Sequence, residues 1–258
     1  MGSGGVKSAK GGIRTRTARA PVKPSPPAAA QTAAAIKPAV TKAVTFAAMT
    51  PADQTAHLNL QRSRMTAGSR KAIADYIDPT VRATNGFNFA KNLNNAMQTG
   101  RALTGKQSNA KTELQKIMVP SQGNFILYRG DHDDAIKTLA GVQNMSQYNS
   151  YQSRATNQQL QQALVGRSWT AKGFTSTSHT KGLSPFLPGG SASGGREVIM
   201  IIHAKQGTKM ALIQKSQGEV LLDANTKFTI TKASYTGSTA YPRHGGMKRQ
   251  IMIEVTAE

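Results

Sequence analysis

The stretch Ser216-Gln217-Gly218-Glu219-Val220-Leu221-Leu222 decides how the chain is read. Val220, Leu221 and Leu222 form a short uninterrupted apolar run, the pattern of a buried strand. Gly218, with the polar Gln214-Lys215-Ser216-Gln217 ahead of it, spells a turn or loop. Glu219 is therefore expected where a loop enters a sheet, held by a rigid element and still reachable. A carboxylate beside a strand is ordinarily a solvated surface charge, so this one acquires meaning only from its surroundings.

Acids are scarce throughout. The 258 residues hold 33 Lys and Arg against 12 Asp and Glu, a formal net charge of +21, and no cysteine. The length accommodates one or two domains and a sizeable core. The charge favours anionic partners such as nucleic acid, nucleotides or a membrane surface, although a solvated cationic surface with a basic tail gives the same count. Without cysteine there are no disulfides, thiolate zinc sites or cysteine nucleophiles. No apolar run reaches membrane-spanning length. The basic N-terminus is not followed by an apolar segment, so a soluble chain without a secretory signal peptide is expected.

Outward from the central stretch, the patterns divide the chain. Residues 1–50 carry eight cations and no acid, and are dominated by Pro, Ala and Gly. They are expected to form a disordered basic tail, either a nucleic-acid-binding arm or a solubilising linker. Helical spacing follows over 52–67, 70–77, 88–97 and 110–118, punctuated by Gly68, Pro79, Gly86 and Gly100. Strand patterns then dominate: 125–128, part of 166–179, 198–202, 210–213, 220–222, 228–230 and 251–255, with a further helix over 152–164. Helices ahead of strands indicate an α+β protein with segregated helices. The domain is placed at 51–258, with a helical part to residue 120 and a strand-rich core from 121.

Three elements stand out in a fixed order. Tyr128-Arg129-Gly130 ends an apolar strand. Ser176-Thr177-Ser178 follows an aromatic in Gly173-Phe174-Thr175. Gln217-Gly218-Glu219 enters the apolar run. Each has a plain alternative: a surface cation, an edge strand, a strand-end charge. Together they suit an anionic, sugar-bearing substrate. Arginine offers a planar fork of donors for phosphate oxygens. Hydroxyls can orient a ribose and a neighbouring carboxylate. The carboxylate can stabilise positive charge developing on a sugar ring. HExxH and P-loop motifs are absent, the five His show no metal-ligand spacing, and Arg129-Gly130-Asp131 is too short to carry meaning as an adhesion tripeptide.

The order of these elements resembles the Arg–Ser–Glu class of mono-ADP-ribosyltransferases, the family of the exoenzyme toxins and several phage-encoded transferases. The flanks agree: Gly166-Arg167-Ser168-Trp169 leads into the hydroxyl segment, and Arg196-Glu197-Val198-Ile199 through Gly207-Thr208-Lys209 matches the family's strand and turn before the catalytic loop. The resemblance covers residues 51–258. It implies an α+β fold with N-terminal helices on two small, mostly antiparallel sheets and an NAD cleft between them. It implies that Arg129 binds the NAD phosphates and Gly130 the nicotinamide amide. Ser176 would position the carboxylate, Thr177 and Ser178 would support the ribose side, and Glu219 would stabilise the oxocarbenium-like transition state. The loop 181–195 would cover the phosphates, with Pro185 and Phe186 packing there, and Gln217 would face the acceptor.

NAD is then a substrate, no metal is expected, and the acceptor is a macromolecule. In family members that modify arginine a second Glu stands where Gln217 does; those with Gln include Rho-modifying exoenzymes acting on asparagine and toxins acting on guanine. A protein amide is thus expected ahead of guanine. The loop Gln214-Lys215-Ser216 lacks the aromatic that many members carry there. Delivery into a host cell is implied, with carriage in a virion as one route and nucleic-acid contact by the tail as another expectation. Two other readings remain: a plain NAD glycohydrolase, and a nucleic-acid-binding structural protein on a degenerate transferase scaffold.

Overall fold

The computed structural model describes residues 44–78, 80, 88–131, 141–150, 152–181, 197–214, 218–241 and 246–258. Four helices come first, α1 (Pro51–Arg62), α2 (Ala67–Ile77), α3 (Phe89–Thr99) and α4 (Gly105–Ile117). Local chemistry sets their ends. Thr50 caps α1 reciprocally with Asp53, and Thr104 caps α4 with Gln107, each pairing two backbone donors that the helix itself cannot satisfy. The helix expected over 52–67 stops at Arg62 because Thr66 accepts from the Ser69 amide and starts α2. The helix expected over 110–118 begins at Gly105, as the Thr104 cap dictates. Gly100, at φ +72°, closes α3, a left-handed position that suits glycine.

Strands β1 (Val119–Pro120) and β2 (Phe125–Asp131) follow, then two short helices, α5 (Ser146–Asn149) and α6 (Asn157–Leu164). The Thr156–Gln159 capping box shortens the helix expected over 152–164 to α6. The remaining strands are β3 (Ser168–Thr170), β4 (Thr175–Ser178), β5 (Val198–Ala204), β6 (Lys209–Gln214), β7 (Glu219–Leu222), β8 (Lys227–Tyr241) and β9 (Gly246–Ala257). The β8–β9 ribbon far exceeds the expected 228–230 and 251–255. Its outer part, Ser234 to Tyr241, is polar and glycine-containing, so periodicity does not show it; cross-strand pairing from Phe228 to Tyr241 does.

The α+β class is as expected, but the described strands form one nine-stranded sheet, in the order β1-β6-β7-β4-β2-β5-β9-β8-β3, rather than two. The physical reason is narrow. Tyr128 pairs with Ser178, and this single register pair joins β2 to β4, whereas β2 and β5 share seven pairs. Within that sheet the pairings are antiparallel except β5 with β9, which is parallel.

Two apolar clusters fill the interior. The larger gathers Leu127, Ile202, Val220, Leu222, Phe228 and Val255 with Leu160 and Leu164 of α6. The smaller packs Leu93, Leu114 and Ile117 of the N-terminal helices on Ala211, Ile213 and Leu221. Alternate residues of β7 thus enter different clusters, which explains an unbroken apolar run: a strand covered on both faces has no polar side. Residues 44–50, placed with the tail by composition, also join the fold. Ala47 bridges Phe125 in parallel, Ile126 N donates to Ala47 O at 2.9 Å, and Met49 is buried. The tail proper, residues 1–43, lies outside the described residues.

Candidate active site

The site is built where the sheet is thinnest in hydrogen bonds. Glu219 opens β7, preceded by Gly218 at φ +58°, a conformation glycine adopts without penalty. Register sets Glu219 opposite Ser178 and Leu221 opposite Ser176. Ser176 is therefore diagonal to Glu219 on one face of the pair, a separation longer side chains can close, and its hydroxyl donates to Glu219 Oε1. Thr177 points the other way and donates to Val220 O at 2.7 Å. Ser178 Oγ donates to Thr180 O at 3.0 Å and accepts from Thr180 N at 3.1 Å, tying off the turn after β4. Thr177 and Ser178 are both buried, so these two hydroxyls hold β4 and its turn in place, while the Ser176 hydroxyl meets the carboxylate.

Arg129 comes from the other side of the join. It continues the row Phe125–Leu127 on β2, beyond the point where that row is apolar. Its Nε donates to Asp131 Oδ2 at 2.9 Å and its Nη1 to the Ser176 carbonyl at 2.8 Å. The fork is thus aimed by a carboxylate two residues on and by the strand that carries Ser176, with donors left for a ligand. Gly130 follows, paired with Ile199 of β5.

Burial raises the Glu219 pKa; the Ser176 hydrogen bond and the positive charge of Arg129 pull it back down. The net displacement is upward, while the hydrogen bond and the charge both favour the ionised form, the one that can stabilise a developing cation. The same electrostatic neighbourhood includes Tyr76 of α2. Burial raises its pKa, and both Glu219 and Arg129 act on it. Asn94 of α3 donates to Tyr76 Oη at 2.7 Å and accepts from Phe174 N at 3.0 Å, and the Tyr76 and Phe174 rings meet edge to face at 6.2 Å. Helical spacing marks Tyr76 only as a core residue and Asn94 not at all. The signal that could have found them is Gly173: a Cβ there would lie 3.1 Å from Asn94 Oδ1 and 3.2 Å from Asn94 O, the close backbone approach that glycine before a strand announces.

Arg129, Ser176 and Glu219, far apart in sequence, are therefore brought together, with Gly130, Thr177 and Ser178 beside them. Gln217 and Phe186 lie outside the described residues, as does most of the loop 181–195. Among the described residues no group of three His, Asp or Glu side chains converges as a metal site.

An α+β sheet with an Arg, a Ser and a Glu converging at its central join defines a class, and comparison with known proteins places the chain within it. The chain belongs to the ADP-ribosyltransferase exoenzyme family, whose sequence profile matches residues 53–256. No curated protein matches it in sequence. Similar folds occur in Plx2a, an ADP-ribosyltransferase toxin from Paenibacillus larvae, at 16% identity and TM-score 0.56 over 80% of this chain and 92% of that one. The Clostridium limosum C3 exoenzyme is 20% identical at TM-score 0.54, over 83% and 98%. C3stau2 from S. aureus, solved with NAD, is 16% identical at TM-score 0.55, over 84% and 99%. The Arg–Ser–Glu class fits, and the chain is an enzyme of a family that transfers ADP-ribose from NAD.

Proposed function

We propose that the chain moves ADP-ribose from NAD to a macromolecular acceptor other than arginine, acting as a toxin-like or delivered host-modifying enzyme. The observation that carries the proposal is the Arg129–Ser176–Glu219 convergence: one cation fork, one hydroxyl and one half-buried carboxylate around a single join. Arg129 holds the NAD phosphates with its remaining donors. The bond between nicotinamide and the ribose anomeric carbon breaks, its electron pair leaving with nicotinamide, which thereby becomes neutral. Glu219, oriented by Ser176, stabilises the positive charge that appears on the ribose. The acceptor then forms the new bond to the anomeric carbon and gives up its proton to water. Because the leaving group is already cationic in NAD, no Lewis acid is needed to expel it.

The acceptor follows from Gln217, two residues ahead of Glu219. An arginine acceptor must be deprotonated before attack, against a pKa above about 12, and Gln cannot serve as that base. A primary amide both donates and accepts hydrogen bonds, which suits an Asn or Gln side chain or a guanine edge alike, and the family resemblance alone ranks the protein amide first. The test is incubation with labelled NAD and a host lysate split into protein, RNA and DNA fractions, with modified residues located by mass spectrometry. Label on protein amides is the expected result; label mainly on arginine overturns it, and nicotinamide release with no labelled macromolecule points to a glycohydrolase.

A further inference from the structure

The residue after β4 makes contacts that the assignments above do not use. His179 N donates to Gly218 O at 3.0 Å, adding one rung to the ladder beyond the Ser178–Glu219 pair. The imidazole then lies over Gly218 itself. A Cβ at Gly218 would stand 3.0 Å from His179 Nε2 and 3.3 Å from both Cδ2 and Cε1, tighter than ordinary side-chain packing, so the ring would have to give way. The ring is oriented from its other edge, where Nδ1 lies 3.0 Å from Thr180 Oγ1. Thr180 is in turn fixed by the Ser178 hydroxyl through its N and O. Gly218 is thus gripped by one backbone hydrogen bond and one ring face while it holds a left-handed φ of +58°.

We propose that His179 is a positioning residue for the catalytic carboxylate: its ring clamps Gly218 and so sets the direction in which Glu219 leaves the turn. The proposal rests on the reading of Glu219 given above. The geometry makes the link short. Gly218 and Glu219 share a peptide plane, so a rotation about the glycine dihedrals swings the Glu219 side chain directly. Ser176 restrains the carboxylate tip, and His179 restrains the base from which it projects. Burial lowers the His179 pKa, so near neutral pH the clamp is an uncharged ring that does not compete with Arg129 for the carboxylate. Misplacement of a reacting group by a fraction of an ångström to an ångström costs rate rather than binding.

The test measures nicotinamide release and NAD affinity in parallel, with melting temperature as the control for folding. His179→Ala is expected to lower kcat on the order of 10- to 100-fold while the Kd for NAD stays within about twofold. His179→Phe keeps a planar ring over Gly218 and is expected to recover most of the loss. His179→Asn keeps a group for Thr180 but no ring, and is not expected to. Gly218→Ala supplies a double-mutant cycle: it should cost less in the His179→Ala background, where the space is vacant, than in the parent. Unchanged kcat in His179→Ala, no recovery in His179→Phe, or strict additivity of the two substitutions overturns the proposal. Glu219→Gln is assayed alongside. If it retains full turnover, the reading of the site fails; if it abolishes turnover and His179→Ala does not lower it, only the clamp fails.

Discussion

Ser176 and Glu219 meet diagonally across β4 and β7, the hydroxyl donating to Oε1 although register places Ser178 directly opposite the carboxylate. That bond favours the ionised carboxylate and opposes the burial that raises its pKa. Ser176→Ala removes that bond and leaves only Arg129 opposing burial, so the Glu219 pKa rises further and more of the enzyme is protonated at a given acid pH. The acid limb of the kcat profile should move to higher pH. Turnover at alkaline pH should also fall, about 10-fold or more, because the carboxylate loses its orientation. An acid limb that stays in place would separate Ser176 from the ionisation that matters. Glu219→Gln itself should reduce turnover about 100- to 1,000-fold with NAD affinity retained.

Arg129 already spends Nε on Asp131 and Nη1 on the Ser176 carbonyl. Arg129→Lys offers one point charge for these partners and the phosphates together, so it should rescue poorly. Loss of a charge-assisted hydrogen bond costs about 1.5–3 kcal/mol, and calorimetry should show NAD binding weaker by about 10- to 100-fold in both Arg129→Ala and Arg129→Lys. Parent-like affinity in Arg129→Ala would place the phosphates elsewhere.

His57 is buried on α1 with Nε2 3.0 Å from Met210 O and no partner at Nδ1 among the described residues. Desolvation lowers its pKa from the ordinary 6.5. The unfolded chain therefore takes up a proton at a higher pH than the folded one, and stability falls as pH drops below about 6.5 toward the folded value. His57→Gln keeps a donor for Met210 O without titrating. Its melting temperature should fall less steeply with acidification than the parent's; equal slopes would show that other groups govern acid unfolding.

Gly173→Ala tests the packing of α3 on the strand that carries Ser176. The added Cβ would press on Asn94 Oδ1 and on its backbone oxygen. Overpacking of this kind costs about 1–3 kcal/mol, read as a lower melting temperature, and the displaced Asn94 should weaken the Tyr76 contact. A parent-like melting curve would mean that α3 yields freely.

The basic tail is expected to be dispensable for NAD chemistry. Removal of residues 1–40 deletes cations and no proposed site residue. Nicotinamide release should persist, while binding to DNA or RNA should weaken and its salt dependence flatten, since each phosphate-contacting cation contributes to the slope. Loss of folding on truncation would move the domain boundary into the tail.

Much of this architecture is legible in the residues themselves. The β7 run and the strands at 125–128 and 198–202 declare themselves by uninterrupted or alternating apolar side chains, whereas the Thr-initiated capping boxes that start α1, α4 and α6 do not show in apolar spacing, which puts those starts at 52, 110 and 152. The order Arg129, Ser176, Glu219 is visible because a cation breaks the apolar row of β2, hydroxyls fill β4, and a carboxylate precedes the apolar run of β7. Tyr76 and Asn94 are invisible by the same logic: their partners are long-range, and a Tyr on an amphipathic helix reads as core. The continuity of the sheet is also hidden, because one backbone pair between Tyr128 and Ser178 leaves no trace in periodicity.

That solitary pair has a mechanical consequence. Arg129 belongs to the strands on one side of it, Ser176 and Glu219 to those on the other, and the Arg129–Ser176 bond is a bolt across the seam. On the proposed roles of Arg129 and Glu219, a bound dinucleotide would span the same seam and act as a second bolt. Departure of nicotinamide would then remove part of that bolt at the moment the product must leave. Backbone amides flanking Tyr128 and Ser178 should therefore exchange with solvent fastest in the empty enzyme, slowest with intact NAD, and at an intermediate rate with ADP-ribose alone.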